Sequence, residues 1–563
     1  MELRCGFAKT GFRVRAFVDL SGIVVTVFLL APLIFTGSPT TATEPELPRL
    51  YVDTTYVVPS GRTFAVRAGG DFQAALNAAA PGDVITLEPG AMFTGPFTLP
   101  SKSGSGWIIV RSSAPEKSLP PGTRADPSHA PLMPKLEAAG GSVIQTAPGA
   151  HHYRFIGIEI RPRKGTFLNN LVLLGINETT IEDLPHHIVF DRCYLHGDPK
   201  KGTRRGIAMN SRYTAVIDSY LSDFKEVGAD SQAIGGWAGP GPFKIVNNYL
   251  EGAGENVAFG GTDPSIPDLV PSDIEIGRNY FSKPLSWKIG HPTYNGTPWT
   301  IKNLFELKNA RRVLINGNLF EYTWLHAQNG FAILFTVRNQ DGGAPWSVVE
   351  DVTFSNNVVS HTASGINILG QDNNYPSQKT KRILIRNNLF DDVNGVKWGG
   401  AWGRLFQLLD GTANVVIDHN TAFQSEAIIA ASDIVAGRPP NTGFVYRNNV
   451  TPHNGSGVIG TGTGVGLSTL TVYFPGAIFA KNVLVGGNSS LYPANNYFPV
   501  SLNEVRFVDR IGGHYRLQES SPYRQAGTDG KDVGVDFAAL CAAIPEIPSL
   551  PRSCAPSSQT SKP

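Results

Sequence analysis

One motif recurs along this chain and restricts its fold more than any other feature. The stretch RRVLINGNLFEY, from Arg311, returns seventy residues later as KRILIRNNLFDD, from Lys381. Related segments are IVFDRCYL, AVIDSYL, FKIVNNYL, IEIGRNYF, VTFSNNVV, VVIDHNTAF, FVYRNNV and FAKNVLV. They align on Cys193, Ser219, Asn248, Asn279, Asn318, Asn357, Asn388, Asn420, Asn449 and Asn482, at steps of 26 to 39 residues. Self-similarity at such a period marks a solenoid, in which each unit buries its apolar face only against its neighbours.

Each unit reads as a strand and a turn. Ile274 and Ile276 alternate with Asp273, Glu275 and Gly277, and Val352 and Phe354 alternate with Asp351, Thr353 and Ser355. Period two with one apolar side is the signature of a half-buried strand. The Asn follows three residues after the last inward position. Asn tolerates left-handed backbone and bonds its own main chain, so it suits a tight turn. At constant phase these amides should stack into a ladder. No helical period separates the units, so each repeat is a coil of two or three strands, with coils about 4.8 Å apart. The 61 Gly and 41 Pro, with 17% charged residues, agree with a turn-rich β protein. A net charge of +2 argues against a dedicated nucleic-acid binder.

The Asn-bearing turns and the opening AGGDFQAALNAAAPGDVITLEPGAMFTG, from Ala68, resemble the right-handed parallel β-helix family, the pectate-lyase-like superfamily. The likeness covers about residues 60–540. It implies an all-β fold, one right-handed parallel β-helix over 61–540, with a short capping helix at about 71–80. Asp71 is a good N-cap, and Phe72, Ala75, Leu76 and Ala79 share one side. An open β-helix end exposes core and strand edges, so a cap is physically required.

The chain ends carry other signals. Arg4, Lys9, Arg13 and Arg15 precede an apolar run, Leu20–Phe35, and small residues follow. Residues 1–42 therefore read as a secretory signal peptide or an uncleaved anchor. Both readings place the remainder outside the cytoplasm, as a secreted, periplasmic or cell-surface protein with no further membrane domain. Residues 43–60 read as a tether and 541–563 as a Pro/Ser-rich tail. In an oxidising compartment Cys541 and Cys554 are expected to form a disulfide, and Cys193 to be a buried small apolar residue.

The resemblance implies action on a polysaccharide or surface glycan. Pectate and alginate lyases carry out β-elimination on uronic acids, needing a cation or Ca²⁺ against the carboxylate and a base for the C5 proton. VVIDHN, Val415–Asn420, is similar to part of a pectate lyase strand, but the accompanying Arg-x-Pro-x-x-Arg element is missing. The Asn-Thr-Asp, Gly-His-Gly and Arg-Ile-Lys set of the related hydrolases is missing too. Three readings stay open. The first is a lyase, the second a glycoside hydrolase with a carboxylate pair, the third a non-catalytic glycan-binding or structural protein.

The middle units are the longest, and function concentrates on loops carried by a rigid scaffold. Trp237, Trp287, Trp299 and Trp346 lie there as candidates for stacking on sugar rings. Glu306 and Lys308 share one strand face, and Arg338 and Asp372 fall near strand ends on the following coils. These four are the candidate catalytic residues, the two cations serving as base and carboxylate clamp. Asp230, Glu255 and Asp263 form an acidic set that could hold Ca²⁺. The pairs His151–His152 and His186–His187 lie in strands, where neighbours point to opposite faces. They are therefore not read as metal ligands.

Overall fold

The computed structural model describes residues 42–399, 402–433, 435–544 and 552–554. The signal or anchor segment, apart from Ala42, and most of the tail lie outside these residues. The chain winds through three parallel sheets in turn. Sheet A has 14 strands, from Thr63–Val66 to Ile478–Ala480. Sheet B has 13, from Met92–Thr94 to Val483–Val485, and sheet C has 12, from Phe97–Leu99 to Val458–Gly460. One coil, for example, takes Ala310–Asn316 in A, Leu319–Thr323 in B and Phe331–Thr336 in C. Register partners are like residues. Ile274, Val313, Val352, Ile383 and Val415 follow one another inward on sheet A, and all belong to one continuous core.

The aligned asparagines form a buried ladder at the turn from sheet A to sheet B. Asn318 Oδ1 accepts from the backbone N–H and the side-chain amide of Asn279, both at 3.0 Å. Its own Nδ2 donates to Ile276 O and to Asn357 Oδ1, each at 3.0 Å. The same bonds continue through Asn357, Asn388, Asn420, Asn449 and Asn482 to Asn496. Toward the other end Ser219 and Cys193 complete the series. The left-handed residue of each turn is not the ladder Asn but the one before it, as at Asn247, Arg278, Gly317, Asn356 and Asn387. Asn318→Ala is expected to cost about 1–3 kcal/mol, because it strands buried groups on both neighbouring coils. An unchanged unfolding midpoint in urea would remove the ladder from the list of stabilising features.

Both ends of the coil stack are closed. Helix α1, Phe72–Ala78, is capped by Asp71, whose carboxylate accepts from Ala74 N–H, and it buries Phe72, Ala75 and Leu76. Helix α2, Leu467–Tyr473, places Leu470 and Tyr473 in the core at the opposite end. Among the described residues no helix is long and apolar enough to cross a membrane.

The segments before and after the coils then pack over sheet A and over the later strands of sheet B. Residues 42–58, within the segment read as a tether, run along sheet A. Ala42 packs on Leu384, Val416 and Val445, and Val52 on Val189 and Ala215. Glu46 N–H donates to Asp351 at 3.0 Å and Arg49 N–H to Asp273 at 2.8 Å. The parallel coils end at Val485, and the following chain turns back over sheet B. There Val505, Phe507, Tyr515, Val535, Phe537 and Leu540 pack on Leu319, Val358, Leu389 and Val450. The Cys541–Cys554 disulfide, with Cα atoms 5.3 Å apart, ties helix α3 (Phe537–Ala543) to the turn Arg552–Cys554. Intact-mass analysis before and after reduction and alkylation should show one disulfide, with Cys193 modified only on unfolding.

The strap along sheet A is held at Asp273 and Asp351, which makes it acid-labile. Burial alone would raise the pKa of Asp273 and Asp351. Bonds from Arg312 and the Arg49 amide to Asp273, and from Arg382 and the Glu46 amide to Asp351, outweigh burial and hold both below the ordinary 3.8. A folded value below the unfolded one contributes stability that is complete above the unfolded pKa and is lost as pH falls through the folded one. Hydrogen exchange at Glu46 and Arg49, corrected for intrinsic rates, is therefore expected to keep its protection above the unfolded value of 3.8 and to lose it as pH falls below that, ahead of the core strands. Equal protection well above and well below that value would show that these carboxylates do not hold the strap.

Candidate functional site

In the middle coils, where chain segments pack over sheets A and B, the outer face of sheet C carries the candidate site. Long connections flank it on both sides, 283–304 before one strand and 337–348 after another. Strand alternation sets its side chains. Phe305 and Leu307 point into the core, so Glu306 points out. Parallel register then lines Glu306 up with Ala258, Leu334, Asn367 and Gln407 on neighbouring coils.

A row of polar and charged groups runs across these coils. Arg205 Nε donates to Gln232 at 2.8 Å, and Gln232 Nε2 to Glu255 at 2.7 Å. Lys302 Nζ bridges Glu255 at 3.1 Å and Asp230 at 2.6 Å. Burial works against the Lys302 charge, but Glu255, Asp230 and Glu306 outweigh it and raise its pKa above the ordinary lysine value. Glu306, only 2% exposed, accepts from Asn303 at 3.4 Å and Thr336 at 3.3 Å, and lies 3.9 Å from Lys308 Nζ. Lys308 and Arg338 sit on adjacent coils, joined by the Arg338 N–H donating to Lys308 O at 2.8 Å. Arg338 Nη1 donates to Asp372 Oδ1 at 2.8 Å and also bonds Asn373. Arg438 continues the row to Gln371 and to the carbonyl of Asp372.

Lys308 has its place because the previous coil carries two glycines. A Cβ on Gly261 would meet Lys308 Cδ at 3.3 Å and Nζ at 3.5 Å. Both Gly260 and Gly261 also have φ near +88°, a region that glycine enters without steric cost.

The acidic set does not gather around one point. Lys302 occupies the space between Asp230 and Glu255. Asp263 instead accepts from the backbone of Asp341 at 3.0 Å and Gly343 at 2.8 Å. Among the described residues these three carboxylates form no group close enough to share an ion.

The tryptophans divide. Trp287 and Trp299 are 2% and 4% exposed, packed with Trp324, Trp398 and Ile301 in a small core of their own. The Lys225 ammonium lies 5.0 Å and 5.1 Å from their rings. The 283–304 insertion needs its own apolar centre, and these two rings provide it, so they offer no face to a sugar. Trp237 is half-buried, with the Arg205 guanidinium 5.1 Å from its ring. Trp346, also half-buried, is fixed by an indole bond to Leu269 O at 3.1 Å. The open ring is Trp402, 61% exposed, with the Arg404 guanidinium 3.9 Å above it. Arg404 in turn bonds Gln407, and Gln407 bonds Asn367, so the ring adjoins the polar row. Sequence reading missed Trp402, Arg404 and Lys302. The Gly-rich context KWGGAWGR was the available signal for Trp402.

No protein-family model matches the chain, and no curated protein matches it. Solved structures do resemble it. The Dettilon tailspike protein gp208 is 14% identical over 77% of this chain and 68% of its own, with a TM-score of 0.40. The catalytic unit of a thermostable GH87 alpha-1,3-glucanase from Streptomyces thermodiastaticus strain HF3-3 is 12% identical over 80% and 69%, with a TM-score of 0.43. Pectate lyase Pel9A is 13% identical over 85% and 96%, with a TM-score of 0.29. This chain is a right-handed parallel β-helix. At such identities the likeness is one of fold and extends no further. The β-helix presents its charged row on sheet C, across the coils rather than along any one strand.

Proposed function

We propose that this β-helix binds an acidic polysaccharide across the outer face of sheet C and cleaves it by β-elimination. The observation that supports the reading most is the Lys302–Glu306–Lys308–Arg338 row on the outer face of sheet C. A uronic acid gives up its C5 proton only when its carboxylate is neutralised. Lys302 and Arg338 are the clamps for that carboxylate. Lys308, seated over Gly260–Gly261, is the base. Trp402, with the half-buried Trp237 and Trp346 on earlier coils, supplies ring faces for neighbouring sugars.

A second reading has its own support. Lys302 is held by two carboxylates and Arg338 by Asp372 and Asn373. A row whose charges are already paired is suited to binding a glycan without turning it over. Screening the purified protein on acidic and neutral glycans, with and without chelator, separates the two. A lyase leaves an unsaturated sugar that absorbs in the ultraviolet. A hydrolase leaves reducing ends without that absorbance, and a binder leaves neither but retains glycan in affinity electrophoresis. Cleavage of neutral glycans alone would sink the proposal.

A further inference from the structure

The histidine pairs lie on sheet A, apart from the sheet C row. Strand alternation would place the two members of each pair on opposite faces, but the backbone does otherwise. His152 and His187 have φ of 58° and 54°. This left-handed turn at the head of each strand brings both rings of a pair to one side. His151 and His186 are register partners, so the pairs stack. The rings of His151 and His186 lie 4.8 Å apart at 3°, and those of His152 and His187 lie 4.4 Å apart at 4°. Within each pair the Nδ1 atoms are 2.7 Å apart. One ring nitrogen from each of His151, His152 and His186 lies within 4.8 Å of the other two.

The surroundings suit metal ligation. His151 Nε2 donates to Lys102 O at 2.8 Å. That bond leaves Nδ1 as the lone pair, and it is the outer-layer contact that orients a ligating imidazole. Trp107 packs edge-on against His152 at 5.3 Å, and Tyr213 stacks on His187 at 4.6 Å.

We propose that His151, His152, His186 and His187 bind one divalent transition-metal ion of the class that prefers imidazole: zinc, copper or nickel. Bonds of about 2.0–2.1 Å to zinc require stacked rings to draw together and paired rings to spread, a change of side-chain rotamers. The proton now shared within each Nδ1 pair moves to Nε2, so the rings remain neutral. Arg212, the register partner of His186, opposes a cation, so affinity rests on the number of imidazoles.

The test uses chelator-stripped full chain without an added histidine tag. Zinc is titrated by calorimetry and cobalt(II) by visible absorption. The expected result is one equivalent of zinc, a rise in melting temperature and cobalt bands of a nitrogen-ligated site. His152→Gln and His186→Gln should each weaken binding at least about 100-fold, since even outer-layer partners are worth about 10–100-fold. If a variant does not fold, carbethoxylation of the native protein decides. Zinc must then shield the four histidines while exposed His326 still reacts. Failure to bind one equivalent, binding that survives both substitutions, or absence of shielding each overturns the site.

Discussion

Lys283→Met is expected to lower stability by about 3–5 kcal/mol, the range for removing the charged member of a buried polar set. The Lys283 side chain is fully buried. Its ammonium donates to the carbonyls of Gly252, Ala253 and Gly254 and to Asn256 Oδ1. Methionine fills the same volume but leaves four acceptors facing one another without a donor. Burial pushes the Lys283 pKa down, with Glu255 and Glu251 opposing it. The residue also roots the insertion that carries Trp287 and Lys302, so the variant should loosen the sheet C row as well. Urea unfolding of the variant, beside a control at exposed Lys164, measures the effect. A loss below about 1 kcal/mol, the worth of an ordinary surface contact, would mean that water replaces the ammonium.

Lys308→Ala and Arg338→Ala are each expected to reduce turnover of a cleaved glycan by about 10²–10⁴-fold, the usual contribution of a positioned proton-transfer or clamping group. Folding should survive. Glu306 keeps Asn303 and Thr336 after loss of Lys308, and Asp372 keeps the Asn339 N–H and Asn374 N–H after loss of Arg338. Near-ultraviolet circular dichroism and the melting temperature check this directly. Full turnover in both variants would falsify the assignment of base and clamp. Unfolding would make the pairs structural instead.

The coil and its Asn ladder were legible because both rest on local rules repeated many times. Period-two alternation fixes which face is buried, and a constant phase fixes the stack. The same phase also places Glu306 outward, and it would have placed Asn367 and Gln407 beside it had the row been followed further. Lys302 was not legible, because it lies in an irregular insertion with no period to read. Trp287 and Trp299 misled for a related reason: an insertion long enough to need its own core hides its aromatics. The histidine pairs failed differently. Alternation holds only while φ stays negative, and nothing in AHHYRF or PHHIVF announces a left-handed second residue. The packing of the termini on sheets A and B was also hidden, since apolar residues in 500–544 name no partner.

Strapping along sheet A changes how such a molecule comes apart. In a solenoid each coil touches only its neighbours, so the stack is free to fray from an end, one coil at a time. Here Ala42 rests on the coil of Val445 while Val52, ten residues away, rests on the coil of Val189. On the far side Ala543 reaches Gly317, where an added Cβ would lie 2.3 Å from the Ala543 carbonyl. Coils distant in the stack are thereby tied to the same short segments. Peeling either end first frees a strap, which uncovers the middle, so partial unfolding is penalised and loss of structure is concerted. The longitudinal array behaves as one cooperative body, which is the condition for a rigid bed spanning several coils.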